Sequence, residues 1–237
     1  MTKTLIIATG RCGSSALARA IVEEFDYNFY DDFYDEPFNP YLNTTNEITG
    51  IREFDETKDK LHNFTAPWKD VPPNTIWKCL LSLDNYPEEY KDIADFFLDF
   101  SKSFDNVILL SRRNHGERLY SLLHAIKHDS WHVKEERHKS KHVILNEDDY
   151  QTINDFVYQI ETIKFLSKAI DKEIFYYEDL FTDLETSEKT WNKIVGRVDD
   201  YESIYQKWLN PIYKDRIGVK PGFTHPMRWR FHYSLTQ

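Results

Sequence analysis

The apolar run Thr4–Ala8 (TLIIA) passes through Thr9, Gly10, Arg11, Cys12, Gly13, Ser14 and Ser15 directly into a helical pattern over Ala16–Phe25. A strand feeding a glycine-bearing turn and then a helix commits a chain to an α/β unit, because the helix must pack back over the strand it leaves. The turn also carries chemistry. Backbone N–H groups and the positive helix end converge there, with a cation at Arg11 and hydroxyls at Ser14 and Ser15, and such a nest holds a phosphate-like anion.

The loop of nucleoside triphosphatases reads G-x-x-x-x-G-K-[ST], with a lysine for the terminal phosphates and a hydroxyl for magnesium. Here two residues separate Gly10 from Gly13, Arg11 lies between the glycines, and two serines follow at once. The spacing fits a shorter loop for an anion without an obligatory metal. It also fits an ordinary strand-to-helix turn, with glycine at positive φ and serine as the cap.

A second segment adds weight to the first reading. Asn106–Ser111 (NVILLS) is a continuous apolar run of the kind buried on both faces of a sheet, and it ends in Arg112, Arg113 and Asn114 before a helical run through Lys127. Open α/β sheets bind ligands at the carboxyl ends of such strands. Ser121 follows Arg113 by a little over two helical turns and can return near the same face.

These two segments resemble the sulfotransferases that use 3′-phosphoadenosine 5′-phosphosulfate (PAPS). Their first loop reads approximately K/R-S-G-[ST]-[ST], matched by Arg11, Cys12, Gly13, Ser14 and Ser15, and their second reads R-[ND]-P with a later serine, matched by Arg113, Asn114, His115 and Ser121. Tyr177, Glu178, Asp179 and Leu180 are similar to the family's Y-E-D-L after a later strand. The resemblance spans the motif frame from Leu5 to Leu180. It implies PAPS as donor, with Arg11, Cys12, Gly13, Ser14 and Ser15 around the 5′-phosphate, Arg113 and Ser121 on the 3′-phosphate, and Arg11 countering charge on the leaving group. Tyr177 and Trp77 become candidate neighbours of adenine.

Two departures stand out. His115 replaces the frequent proline, a tolerable change at a first helical position. In the strand read over Thr75–Leu83, Leu80 stands where cytosolic members carry a catalytic histidine. A substitute base is offered by Glu36 in Phe33–Asn39 (FYDEPFN), which resembles the glutamate-proline element of carbohydrate sulfotransferases; its aromatic flanks favour a raised pKa, while its acidic neighbours equally suit a solvated acid. Lys78 on the same strand as Leu80 reads as an added cation or simply as a polar strand end.

Composition bounds the alternatives. The 237 residues suit one domain over 1–237, and a net charge of −10 disfavours nucleic acid and anionic membranes as partners, since phosphate backbones need a basic face. No apolar stretch reaches a membrane span and no signal peptide precedes the first strand, so a cytoplasmic location is expected. Two cysteines give neither a disulfide framework nor a metal pattern. His124, His128 and His132 share a helical face but lack fixed acids around them, and no metal is expected.

The remaining chain reads as a polar connection over Asn43–Pro73, a helix over Glu88–Phe104, a charged insert over Asp129–Asn146, an amphipathic helix over Asp148–Ile170, a strand over Glu173–Tyr177 and a helix from Tyr201 to Leu209. A basic tail follows, with Arg216 and Lys220 as suggested contacts to the 3′-phosphate. The expected fold is α/β, a three-layer P-loop-like domain with a mainly parallel central sheet flanked by helices. The expected activity is sulfuryl transfer from PAPS to a hydroxyl on a small-molecule or glycan acceptor. A small-molecule kinase of P-loop type and a nucleotide-binding module without turnover are the alternatives.

Overall fold

β1 (Lys3–Ala8) is buried on both faces, with Leu5, Ile6, Ile7 and Ala8 all at 0 % exposure, so it can only be an interior strand. The computed structural model of the chain describes residues 2–31, 73–81, 90–128, 143, 145–147 and 149–210. Among these, five strands form one sheet in the order β2-β3-β1-β4-β5, from β2 (Asn28–Asp31), β3 (Thr75–Leu80), β4 (Asn106–Ser111) and β5 (Ile174–Tyr176). Every pairing is parallel, with Ile6 opposite Lys78 on one side and Ile108 on the other.

Alternate residues of the strands supply two cores, as the period of a strand requires. Ile6, Ala8, Ile76, Ile108 and Leu110 face α1 (Ser14–Phe25) together with α6 (Leu184–Ile194) and α7 (Tyr201–Ile204). Leu5, Ile7, Trp77, Cys79 and Leu109 face α2 (Ile93–Ser101) and α4 (Asp149–Ala169). Between β4 and α4 runs α3 (His115–His128), and the four-residue α5 (Tyr177–Leu180) follows β5 directly. The protein is thus an α/β fold with helices on both faces of a parallel sheet.

This topology fixes where a ligand site can lie. From β1 the chain leaves through α1 toward β2, while from β4 it leaves through α3 and α4 toward β5 on the opposite side. The crevice between the carboxyl ends of β1 and β4 is therefore the point where strand order reverses. Its edges are pinned by Thr9 N donating to Leu110 O at 3.1 Å and by Thr9 Oγ1 and Ser111 Oγ 3.2 Å apart.

Several expectations change. β3 ends at Leu80, with Leu81 outside the strand, while residues 82 and 83 of the strand read from the sequence lie outside the described residues. Trp77 is a core residue at 3 % exposure, edge-on to Phe100 and Phe104 with centroids 5.2 and 6.3 Å away, so its indole is not available to a nucleotide. Lys78 is 3 % exposed in the middle of the sheet and not a polar strand end. Of the apolar face read as Phe156, Ile160, Ile163 and Leu166, the helix buries all but Ile160, which is half-buried, and Tyr150, Val157 and Phe165 are at least half exposed. No described helix is long and apolar enough to cross a membrane.

Candidate functional site

The loop after β1 turns by two left-handed residues, Arg11 at φ 65° and Gly13 at φ 82°. A non-glycine residue held there stores backbone strain of about 1–3 kcal/mol, which surrounding contacts must offset. Gly13 is the cap of α1 and has no side chain to cap it with, whereas Asp92, Asp183 and Asp200 cap α2, α6 and α7 with their carboxylates. The serine cap of the ordinary-turn reading is therefore not formed. The first turn of α1 follows β1 and so brings the positive end of the helix near that strand's carboxyl end, with the Ser14 amide meeting the Cys12 thiol.

Gly13 also meets the third motif. A Cβ on Gly13 would stand 2.4 Å from Phe181 Cε2 and 3.1 Å from Tyr177 Cδ2, so the glycine is required by close approach as well as by φ. Tyr177 stacks on Phe181 with centroids 4.6 Å apart, and the Arg112 guanidinium lies over the Tyr177 ring at 4.6 Å. Tyr177 thus packs on the first loop, with its ring between Phe181 and the Arg112 guanidinium.

The second motif arrives at the same place. Ser121, two turns along α3, accepts a hydrogen bond from Arg11 Nε at 3.0 Å, which brings the first and second motifs together. Burial, reinforced by the nearby Arg112, pushes the Arg11 pKa below its usual value. Ser14 is buried and Ser15 half-buried at the helix start. Cys12 contributes only backbone to the crevice: its side chain is fully buried, Sγ lies 3.6 Å from Leu110 O, and burial pushes its thiol pKa up.

Arg113 is placed differently. Its guanidinium makes a two-pronged pair with Asp179, at 2.5 and 2.7 Å, and lies 4.3 Å over the Tyr176 ring. Glu178 accepts from the backbone N–H groups of Arg113 and Asn114, both at 2.9 Å, so the acids of the Y-E-D-L element strap the second loop to β5. Arg112 sits beneath this strap, paired with Glu117 and 3.8 Å from Glu178, yet its Nε is buried without a hydrogen-bond partner.

His115 begins α3, the position where proline is favoured, and Asn114 Oδ1 caps the helix by accepting from Glu117 N at 3.1 Å. Its N–H bonds Arg113 O at 2.8 Å, a bond that proline lacks. Sequence reasoning missed Arg118, which lies one turn before Ser121 and is 1 % exposed. The i, i+3 spacing to Ser121 was the available signal, since both must face the loop together.

Glu36, His132, Arg216 and Lys220 lie outside the described residues, as do 43–72 and 129–142. Among the described residues no group of three or more His, Cys, Asp or Glu is placed to hold a metal ion. His124 packs against Tyr120, with ring centroids 5.9 Å apart. No protein-family model matches the chain, and no curated protein matches it.

Proposed function

We propose that this chain is a PAPS-dependent sulfotransferase with a P-loop-like donor site, acting on a hydroxyl of a carbohydrate or glycan-like acceptor. The observation that carries this reading is the meeting of three separate motifs at the carboxyl ends of β1, β4 and β5, with Arg11 bonded to Ser121 and Tyr177 packed on Gly13. The uncapped start of α1 behind Gly13, beside Arg11, fits an anion-binding turn.

In the reaction, the acceptor oxygen attacks sulfur in line and gives its proton to Glu36, while the bond from sulfur to the bridging oxygen of the 5′-phosphate breaks. Positioning and charge stabilisation supply the rate, by analogy with phosphoryl transfer. Arg11, the loop amides and Ser14 or Ser15 meet the negative charge growing on that bridging oxygen. Arg113 and Ser121 hold the 3′-phosphate, with Asp179 yielding part of its hold on Arg113.

The test is transfer from radiolabelled PAPS in chelator-treated protein against a panel of glycan acceptors. Release of 3′-phosphoadenosine 5′-phosphate with label on the acceptor supports the reading, and Arg11→Ala should lower turnover by about a hundredfold or more. Magnesium-dependent consumption of ATP instead would point to the kinase. The Asp179 clamp on Arg113 favours a second reading, a nucleotide-binding module without 3′-phosphate preference, which predicts binding but no transfer and no effect of Glu36→Gln.

A further inference from the structure

Arg118 is among the largest fully buried side chains of the protein. Its guanidinium lies 3.9 Å over the Phe156 ring, and its NH2 donates to Phe156 O at 3.3 Å and to Gln159 Oε1 at 3.4 Å. The same Gln159 oxygen accepts from Gly10 N at 3.4 Å, so Arg118 reaches the anion loop through one shared acceptor. Nε and NH1 are buried with no hydrogen-bond partner, and among the described residues no carboxylate pairs with the guanidinium.

Such a group is costly to keep. Burial, with Arg112 adding to it, pushes the Arg118 pKa down to about 10, which leaves the side chain charged at neutral pH in a poorly solvated place. Even a paired buried ionic group is often replaced by apolar side chains without loss of stability, and an unpaired one carries the desolvation penalty unrepaid, so folding alone does not account for it. Its neighbours across the loop are cationic too, because Arg112 depresses both Arg11 and Arg118. An anion in the crevice would offset the repulsion that Arg112 exerts on Arg11 and on Arg118, beyond what Glu117 and Glu178 already offset at Arg112 itself.

We infer that Arg118 is a fixed countercharge behind the loop, a positioning residue that braces Gly10 through Gln159 and raises affinity for a multiply charged phosphate or sulfate ester without touching it. This rests on the anion-loop reading proposed above, but not on which nucleotide is bound.

The experiment compares the full chain with Arg118→Met and Arg118→Lys, by thermal melting without ligand and by calorimetric titration with inorganic pyrophosphate, 3′-phosphoadenosine 5′-phosphate, 5′-AMP and adenosine. Arg118→Met should melt no lower than the parent, bind pyrophosphate and 3′-phosphoadenosine 5′-phosphate about tenfold more weakly, and leave adenosine unchanged. Arg118→Lys should recover most of the loss. Arg118→Gln supplies the same comparison if the Met variant does not fold. Unchanged pyrophosphate affinity in the neutral variants, an equal loss for adenosine, or no recovery by lysine overturns the inference. A parent that binds pyrophosphate but does not prefer 3′-phosphoadenosine 5′-phosphate over 5′-AMP removes the PAPS reading and leaves Arg118 standing; a parent that binds no anion removes both.

Discussion

Arg11 Nε donates to Ser121 Oγ at 3.0 Å, joining residues 110 positions apart in the chain. The bond aims a cation that sits on a left-handed backbone, so the strain at Arg11 and the hydroxyl on α3 work together. Ser121→Ala should weaken binding of 3′-phosphoadenosine 5′-phosphate about tenfold, within the range for a hydrogen bond to a charged group. The double variant Arg11→Ala, Ser121→Ala should cost little more than Arg11→Ala alone. A calorimetric double-mutant cycle measures this, and additive losses would show that the two residues act separately.

Alanine should be costly at Gly13 and nearly neutral at Gly10. At Gly13 a Cβ would fall 2.4 Å from the Phe181 ring on a backbone at φ +82°, whereas at Gly10 it would meet nothing within 4 Å. Left-handed backbone and overpacking together give a loss of about 2–4 kcal/mol for Gly13→Ala, read from urea denaturation. Gly10→Ala should stay within about 0.5 kcal/mol, the usual range for a change away from special contacts. Adding Phe181→Leu to Gly13→Ala should return the steric part of the loss and not the part due to φ.

Asp179 holds Arg113 in a two-pronged pair, and under the proposed function a 3′-phosphate would have to compete for that guanidinium. That arginine side chain is 53 % exposed, so the ion pair contributes at most about 1 kcal/mol to stability. Asp179→Asn should therefore leave the melting temperature nearly unchanged while raising affinity for 3′-phosphoadenosine 5′-phosphate several-fold, with no such gain for 5′-AMP. Equal gains for both nucleotides would place Arg113 away from the 3′-phosphate.

The imidazole of His115 should titrate below its usual range. Burial is the main cause, and Arg118 and Lys164 add to it, against opposing contributions from Glu178 and from a backbone bond at Arg112. The unfolded chain then binds more protons than the folded one between the depressed folded value and about 6.5, the ordinary histidine value. Stability rises with pH through that window, and the contribution is lost as pH falls below it. NMR titration of the imidazole checks the midpoint, and His115→Asn should flatten the slope of stability against pH there.

The frame of this site was legible because it is local. β4 falls on Asn106–Ser111 as its apolar run indicates, and the first loop lies between β1 and α1 where its glycines indicate. Charges set by tertiary contacts were not legible. Lys78 and Arg118 look like surface residues in sequence and are 3 % and 1 % exposed, because neighbouring strands and helices cover them. α6 was missed, since its sequence is mostly polar and only Ser187, Thr190, Trp191 and Ile194 turn inward. The strap of Glu178 and Asp179 over Arg113 joins residues 64 to 66 positions apart, a separation no local pattern spans.

Under the proposed function, the crevice binds a 3′-phosphorylated adenine nucleotide as donor. Calorimetric titration of metal-free protein with 3′-phosphoadenosine 5′-phosphate, against 5′-AMP and ATP and with Arg113→Ala as control, tests it most directly. The 3′-phosphorylated ligand should bind most tightly, and Arg113→Ala should abolish that preference. Equal affinity for the three nucleotides, or no binding, would contradict it.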